Sequence, residues 1–184
     1  MDTLAHISRA DFRAWAERQP RGRFERVAGR VVRMTPERIV HVELKNAVWH
    51  ALREAVRTAG VECQAFGDGV TVEVGDDTDY EPDALVNLGP PPPPDAVAAP
   101  NPVIVVEVLS PGTRSVDTGE KLAGYFRVPS IQHCLVVSAR RREMMHHRRA
   151  GEAIMTTVLT EGMIALDPPG IAIALDAIYR DVTL

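Results

Sequence analysis

Apolar and polar positions along the chain change their spacing several times, and each change marks an element. Residues 10–20, ADFRAWAERQP, space their apolar side chains as a short amphipathic helix that Pro20 ends. RFERVAGRVVRM (23–34) reads as one or two short strands bending near Gly29. Thr35-Pro36-Glu37 carries the signals of a helix start: a Thr cap, a proline whose missing N–H costs nothing there, and an acid in the first turn. Ile39, Val42, Ala47, Val48, Ala51, Leu52, Ala55 and Val56 then lay out the apolar stripe of a long helix, and Gly60 stops it.

Strand spacing takes over downstream. VECQAF (61–66) and VTVEV (70–74), joined by Gly67-Asp68-Gly69, are expected to pair as an antiparallel hairpin. DALVNL (83–88) is a further strand, and Pro90 to Pro94 form a rigid, extended spacer. VIVVEVL (103–109) is apolar on both sides of a single acid, as a strand covered on both faces should be. Ser110-Pro111-Gly112 ends it, a helix from about Thr118 to Arg127 follows, and IQHCLVVS (131–138) is a second buried strand. Strand, short helix and strand in that order make a crossover unit. REMMHHRR, AIMTTVLT, GMIAL and GIAIAL then alternate as short strands before a short helical DAIYRDV. The result is an α/β chain: a mixed sheet with one long helix before it and one inside it.

Composition narrows the function classes. A chain of 184 residues with 45% hydrophobic and 25% charged residues fits one globular domain and leaves no room for a second of normal size. A formal charge of -4 excludes a bulk polycation that coats nucleic acid, while a local nucleic-acid site stays open. Of the 21 basic residues, all but Lys45 and Lys121 are arginines. Each lysine therefore merits separate attention, because arginine does not replace a small, movable ammonium group. Cys63 and Cys134 stand alone in apolar strands and read as buried free thiols, with neither zinc spacing nor a disulfide framework. The opening MDTLAHISRADF lacks a secretory apolar core, and no window approaches a membrane span, so a soluble cytoplasmic protein is expected.

Two acids occupy strand positions that demand a reason. Asp83 begins DALVNL after Pro82, and Glu107 sits inside VIVVEVL. A lone carboxylate in a core strand is costly unless it is paired or binds a metal. Two such groups meeting on neighbouring strands make a hard-cation site for Mg²⁺ or Mn²⁺; an exposed edge for Glu107 is the bland alternative. Lys121 lies one helical turn beyond Asp117 and one before Tyr125, so the three share a face. That face is either a surface ion pair with a packing tyrosine or a lysine that stabilises charge on a phosphoryl group. In ARRREMMHHRR (139–149), strand alternation puts Arg140, Arg142, Met144, His146 and Arg148 on one side. Such a stripe either grips phosphates or is a charge-protected edge strand. Trp15 and Trp49 read as packing anchors.

These residues resemble a known group. EPD at 81–83, VVEVLSPGTRSVD at 105–117, KLAGY at 121–125 and IQHCLVV at 131–137 are similar to restriction-endonuclease-like proteins abundant in cyanobacteria and actinobacteria, a branch of the PD-(D/E)xK nuclease superfamily. FERVAGRVVRM followed by His41 resembles that branch's opening strand pair and first-helix histidine, and the likeness runs over about residues 22 to 180. It implies a restriction-endonuclease-like core, an α/β fold with a mixed central sheet flanked by helices, over 22–184, with residues 1–21 as an N-terminal helical extension. It also implies a Mg²⁺-dependent DNA endonuclease, with Mn²⁺ as a substitute; a homodimer is expected because cleavage of a duplex needs two active sites. Asp83 and Glu107 would be metal ligands together with the backbone carbonyl of Val108. The superfamily pattern asks for lysine at 109, where this chain has Leu109, so Lys121 is expected to supply the ammonium group. His41 would touch phosphate or support the acids, Glu25 and Glu43 compete to orient a metal-bound water, and Asp117 and Tyr125 would support. A catalytically silent nucleic-acid- or protein-binding relative, or a hydrolase of small phosphate esters, remains the alternative.

Overall fold

The computed structural model describes residues 6–109 and 115–184. Helix α1 (Arg9–Glu17) begins at Ser8, whose hydroxyl accepts from the N–H of Asp11 and satisfies a first-turn donor. Trp15 of α1 meets Phe24 edge-on at 4.8 Å, and Arg9 reaches Asp79 at 2.6 Å, so the helix is fastened to the strands that carry those two residues. Strands β1 (Phe24–Val27) and β2 (Arg30–Arg33) pair antiparallel. Ala28 and Gly29 turn between them at φ 47° and 72°, the left-handed pair that a tight hairpin turn requires.

Helix α2 (Ile39–Ala59) starts later than the Thr35-Pro36-Glu37 signal predicts. Arg38 stands at its N-cap without a side-chain bond. Glu37 does not serve the first-turn amides, because both its oxygens take the ammonium of Lys45, at 2.7 and 2.8 Å. The far end stops as expected: Gly60 adopts φ 63° and donates back to Val56. Leu44, Val48 and Leu52 form the helix's buried face.

The predicted hairpin between 61–66 and 70–74 does not form. β3 (Cys63–Gly67) pairs with β6 (Ala84–Leu88), whereas β4 (Val72–Val74) pairs with β5 (Thr78–Tyr80) in a different sheet. The Gly67-Asp68-Gly69 connection thus carries the chain from one sheet to another. β5 was hidden in the sequence by its polar residues: Asp79 is buried there against the guanidinium of Arg26 at 2.6 Å.

β7 (Pro102–Leu109), α3 (Ser115–Tyr125) and β8 (His133–Ser138) complete the crossover, and β7 and β8 run parallel. β9 (Met144–Ala150), β10 (Ala153–Leu159), β11 (Met163–Leu166), β12 (Ile171–Ala174) and α4 (Leu175–Tyr179) come after them. The central sheet has the order β10-β9-β8-β7-β6-β3; β2-β1-β5-β4 form a smaller sheet and β11-β12 a hairpin. β7 has core on both faces, as its composition indicates. Ile104, Val106 and Val108 pack with α2, β12 and α4, while Val105 packs with Tyr80, Tyr125 and Phe126 under the small sheet and α3. This is an α/β fold with a mixed sheet flanked by helices.

The expected basic stripe is not continuous. Arg140 and Arg142 lie in the connection before β9, where Arg142 pairs with Asp176, and Met144 and His146 are buried. Pairing with β8 draws that face inward, and His146 meets His133 at 2.8 Å. Arg148 alone of the three arginines stands on the strand itself.

Candidate active site

The start of β6 and the end of β7 build the centre of the site. Ala84 opposes Val106 in the antiparallel register. Asp83, just before it, donates its N–H to the carbonyl of Val106 at 3.0 Å and accepts the N–H of Val108 at 2.7 Å. Asp83 is therefore tied to both neighbours of Glu107, and the two acids are fixed beside each other by main-chain bonds. An open cleft of about 580 Å³ lies over them, lined among others by Glu25, Arg33, Glu37, Arg38, His41, Val108 and Lys121.

Around Glu107, helix α3 and strand β1 contribute. The hydroxyl of Tyr125 donates to Glu107 Oε1 at 2.5 Å, and Lys121 Nζ lies 3.3 Å from the same oxygen. Lys121 also donates to Glu25 Oε1 at 2.8 Å, and the backbone N–H of Glu81 donates to that oxygen at 2.9 Å. α3 comes this close because Gly124 has no side chain: a Cβ there would lie 2.6 Å from the ring of Tyr80. Tyr80 in turn offers its ring to Lys121, with Nζ 5.4 Å from the centroid.

Around Asp83, helix α2 contributes. His41 Nε2 approaches the Asp83 carboxylate at 3.4 Å. Lys45, one turn further along, lies 3.6 Å from Asp83 and also binds Glu37 and Asp68. Arg23 joins Asp68 and Glu81, each at 2.5 Å.

Burial dominates the electrostatics. It pushes the Glu107 carboxyl up to about 7; Lys121 opposes the rise, Asp83 adds to it, and the Tyr125 hydrogen bond opposes it. Burial alone would lower the pKa of Lys121, yet Glu107 and Glu25 outweigh it and hold the ammonium firmly protonated. Tyr125 is driven up by burial and by Glu107, so it stays a donor. For Lys45, burial is again outweighed, here by the hydrogen bonds it donates to Asp68 and Glu37 and by the charge of Asp83.

Asp83, Glu107, Lys121, Tyr125, His41 and Glu25 thus come together. Of the two competing glutamates, Glu25 is buried at Lys121, whereas Glu43 is exposed on α2 and does not line the cleft. Val108 lines it and holds Asp83 through its N–H. The side chain of Asp117 and the Ser110-Pro111-Gly112 turn lie outside the described residues. Arg140, Arg142 and Arg148 are not in the cleft wall; Arg33 and Arg38 are. Sequence reasoning noted Lys45 as one of two lysines but gave it no role, and it missed Glu37, Asp68 and Arg23. The available signal was the four-residue spacing of His41 and Lys45 on one helix face.

The donor set suits a hard divalent cation. It is rich in carboxylate oxygens, and Glu37, His41 and Asp83 offer ligand atoms within 4.8 Å of one another. His41 Nδ1 is buried with no hydrogen-bond partner among the described residues. Among the described residues no helix is long and apolar enough to cross a membrane.

Comparison with known proteins identifies relatives of the chain and of its fold. An uncharacterized protein of Synechocystis sp. is 26% identical over 181 residues, 95% of this chain and 92% of its own length. A crystal structure from Anabaena variabilis, described as a "putative nuclease belonging to DUF820", superposes with a TM-score of 0.74 over 96% of this chain and 99% of that one. At 14% identity that likeness establishes the fold. The Uma2 family model, described as "Putative restriction endonuclease", matches residues 9–177, and the chain belongs to that family.

Proposed function

We propose that the chain is a metal-dependent endonuclease that hydrolyses phosphodiester bonds in DNA. The observation that carries this reading is the convergence of Asp83, Glu107, Glu25 and Lys121 in one cleft, with both acids fixed by the pairing of β6 and β7. Asp83 and Glu107, with the carbonyl of Val108, would hold Mg²⁺, or Mn²⁺ in its place. A bound ion supplies Lewis-acid polarisation of the phosphate and lowers the pKa of a coordinated water.

The chain's own groups do the rest. Lys121 is half-buried and held charged between Glu25 and Glu107, so its ammonium would meet an attacking oxygen or the charge on the phosphoryl oxygens. Glu25 fixes that ammonium, and Tyr125 fixes the Glu107 carboxylate. His41 steadies Asp83. Arg33 and Arg38 line the cleft and would take flanking phosphates. A homodimer belongs to the same reading, since one cleft per chain cuts one strand of a duplex, and a DNA substrate places the work in the cytoplasm.

The test is cleavage of supercoiled plasmid with Mg²⁺ or Mn²⁺. The parent should give nicked and linear forms, and Asp83→Asn should lose on the order of 100-fold or more in rate. Cutting that persists in chelator, or in Asp83→Asn, sinks the proposal. Binding of DNA without cutting would indicate a silent relative, and cleavage of a model diester alone a small-ester hydrolase.

A further inference from the structure

We propose that Lys45 is a resident cation: its ammonium fills the place that a second divalent ion would take beside Asp83, so the cleft accepts one divalent ion and not two. The inference rests on the nuclease reading for the first ion and, Asp83 apart, on different residues for the second.

Lys45 is only 5% exposed, yet three carboxylates from separate segments converge on it. Glu37, ahead of α2, presents both oxygens, at 2.7 and 2.8 Å. Asp68, between β3 and β4, takes another of its protons, and Asp83, at the head of β6, lies 3.6 Å away. A surface ion pair gathers one partner, while a gathering of this kind is how a hard divalent ion is held. The remaining donor is present too. Ligand atoms of His41, Glu37 and Asp83 lie within 4.8 Å of one another, and the buried Nδ1 of His41 has no partner among the described residues.

Charge points the same way. Lys45 and Arg23 supply two positive charges to Glu37, Asp68, Glu81 and Asp83. Without the ammonium, one guanidinium is left to balance four carboxylates, of which Asp83 is buried, and a surplus of negative charge of this kind draws in a divalent ion. The choice of lysine in a chain with only two also fits, since a compact point charge mimics an ion and a planar fork does not. The two lysines then divide the work. The side chain of Lys121 is 24% exposed and can meet substrate, whereas that of Lys45, at 6%, is buried against its carboxylate partners and acts only by positioning Asp83.

The experiment counts Mn²⁺ bound per chain, by calorimetry and by electron paramagnetic resonance, in the parent, Lys45→Met, Lys45→Met with Glu37→Gln, and Glu107→Gln. Lys45→Met should bind one Mn²⁺ more than the parent, and adding Glu37→Gln should abolish that gain. If Lys45→Met unfolds in chelator, recovery of its circular dichroism in millimolar Mn²⁺ counts as the gain, and failure to recover overturns the proposal. An unchanged count in Lys45→Met, or two ions in the parent, also overturns it. Glu107→Gln separates the two readings. Loss of the parent's ion there supports the nuclease assignment, and a parent that binds none while Lys45→Met binds one would refute that assignment and keep this one.

Discussion

Glu107→Gln should stabilise the metal-free protein at alkaline pH. The carboxyl stands at about 7 in the folded chain against an ordinary 4.5, because burial next to Asp83 penalises its charged form more than Lys121 and Tyr125 favour it. Between those values the folded state keeps a proton that the unfolded state releases, so this group makes stability fall as pH rises, and its full cost is reached above about 7. The full displacement would correspond to about 3 kcal/mol at 1.36 kcal/mol per unit. The Glu107 side chain keeps 17% of its exposure and touches Lys121, which leaves about 1–3 kcal/mol as the expected effect. Glutamine retains the oxygen that accepts from Tyr125 and never ionises, while Lys121 keeps Glu25. The assay is urea unfolding of parent and variant in chelator at about pH 5 and about pH 8. The variant should gain 1–3 kcal/mol relative to the parent between the two, roughly as the linkage requires. An equal difference at both pH values, or a parent that gains on the variant as pH rises, would show that the Lys121 ion pair outweighs burial and would refute the reasoning.

Neighbouring contacts lead to three further expected outcomes. Tyr125→Phe removes a hydrogen bond that lowers the Glu107 pKa, so the acid limb of the pH profile for Mg²⁺-dependent cleavage should move to higher pH; an unmoved limb would contradict the assignment. Gly124→Ala puts a Cβ at 2.6 Å from the Tyr80 ring and should cost about 1–3 kcal/mol, read as a lower Tm, while pulling Lys121 from Glu25 and slowing cleavage. Arg26→Met leaves Asp79 buried beside Arg9 alone and should cost about 3–5 kcal/mol in urea unfolding; a loss below 1 kcal/mol, roughly a surface-pair value, would refute the pairing.

Much of this architecture is written locally in the chain. The stripe from Ile39 to Val56 and the stop at Gly60 need only neighbouring residues, and so does the β7–α3–β8 crossover. Asp83 and Glu107 were legible because an acid among apolar strand residues stands out against its surroundings. The pairing of β3 with β6 was not legible, since its partners lie far apart in sequence and a nearer turn competes for them. β5 escaped because its Asp79 is neutralised by Arg26 and Arg9, residues that only the fold brings near. The arginine stripe failed on a boundary: β9 starts at Met144, and its inward face is claimed by β8. Lys45 was passed over because a helix read for its apolar stripe says little of the polar residue that turns beneath it.

Whether Asp83 and Glu107 hold one divalent ion between them is decided most directly by anomalous diffraction from crystals soaked in Mn²⁺. The expected result is a single peak over the ends of β6 and β7, about 2 Å from a carboxylate oxygen of each acid and close to the carbonyl of Val108. A cleft without a peak at full soaking, or a peak held by residues other than Asp83 and Glu107, would contradict the assignment.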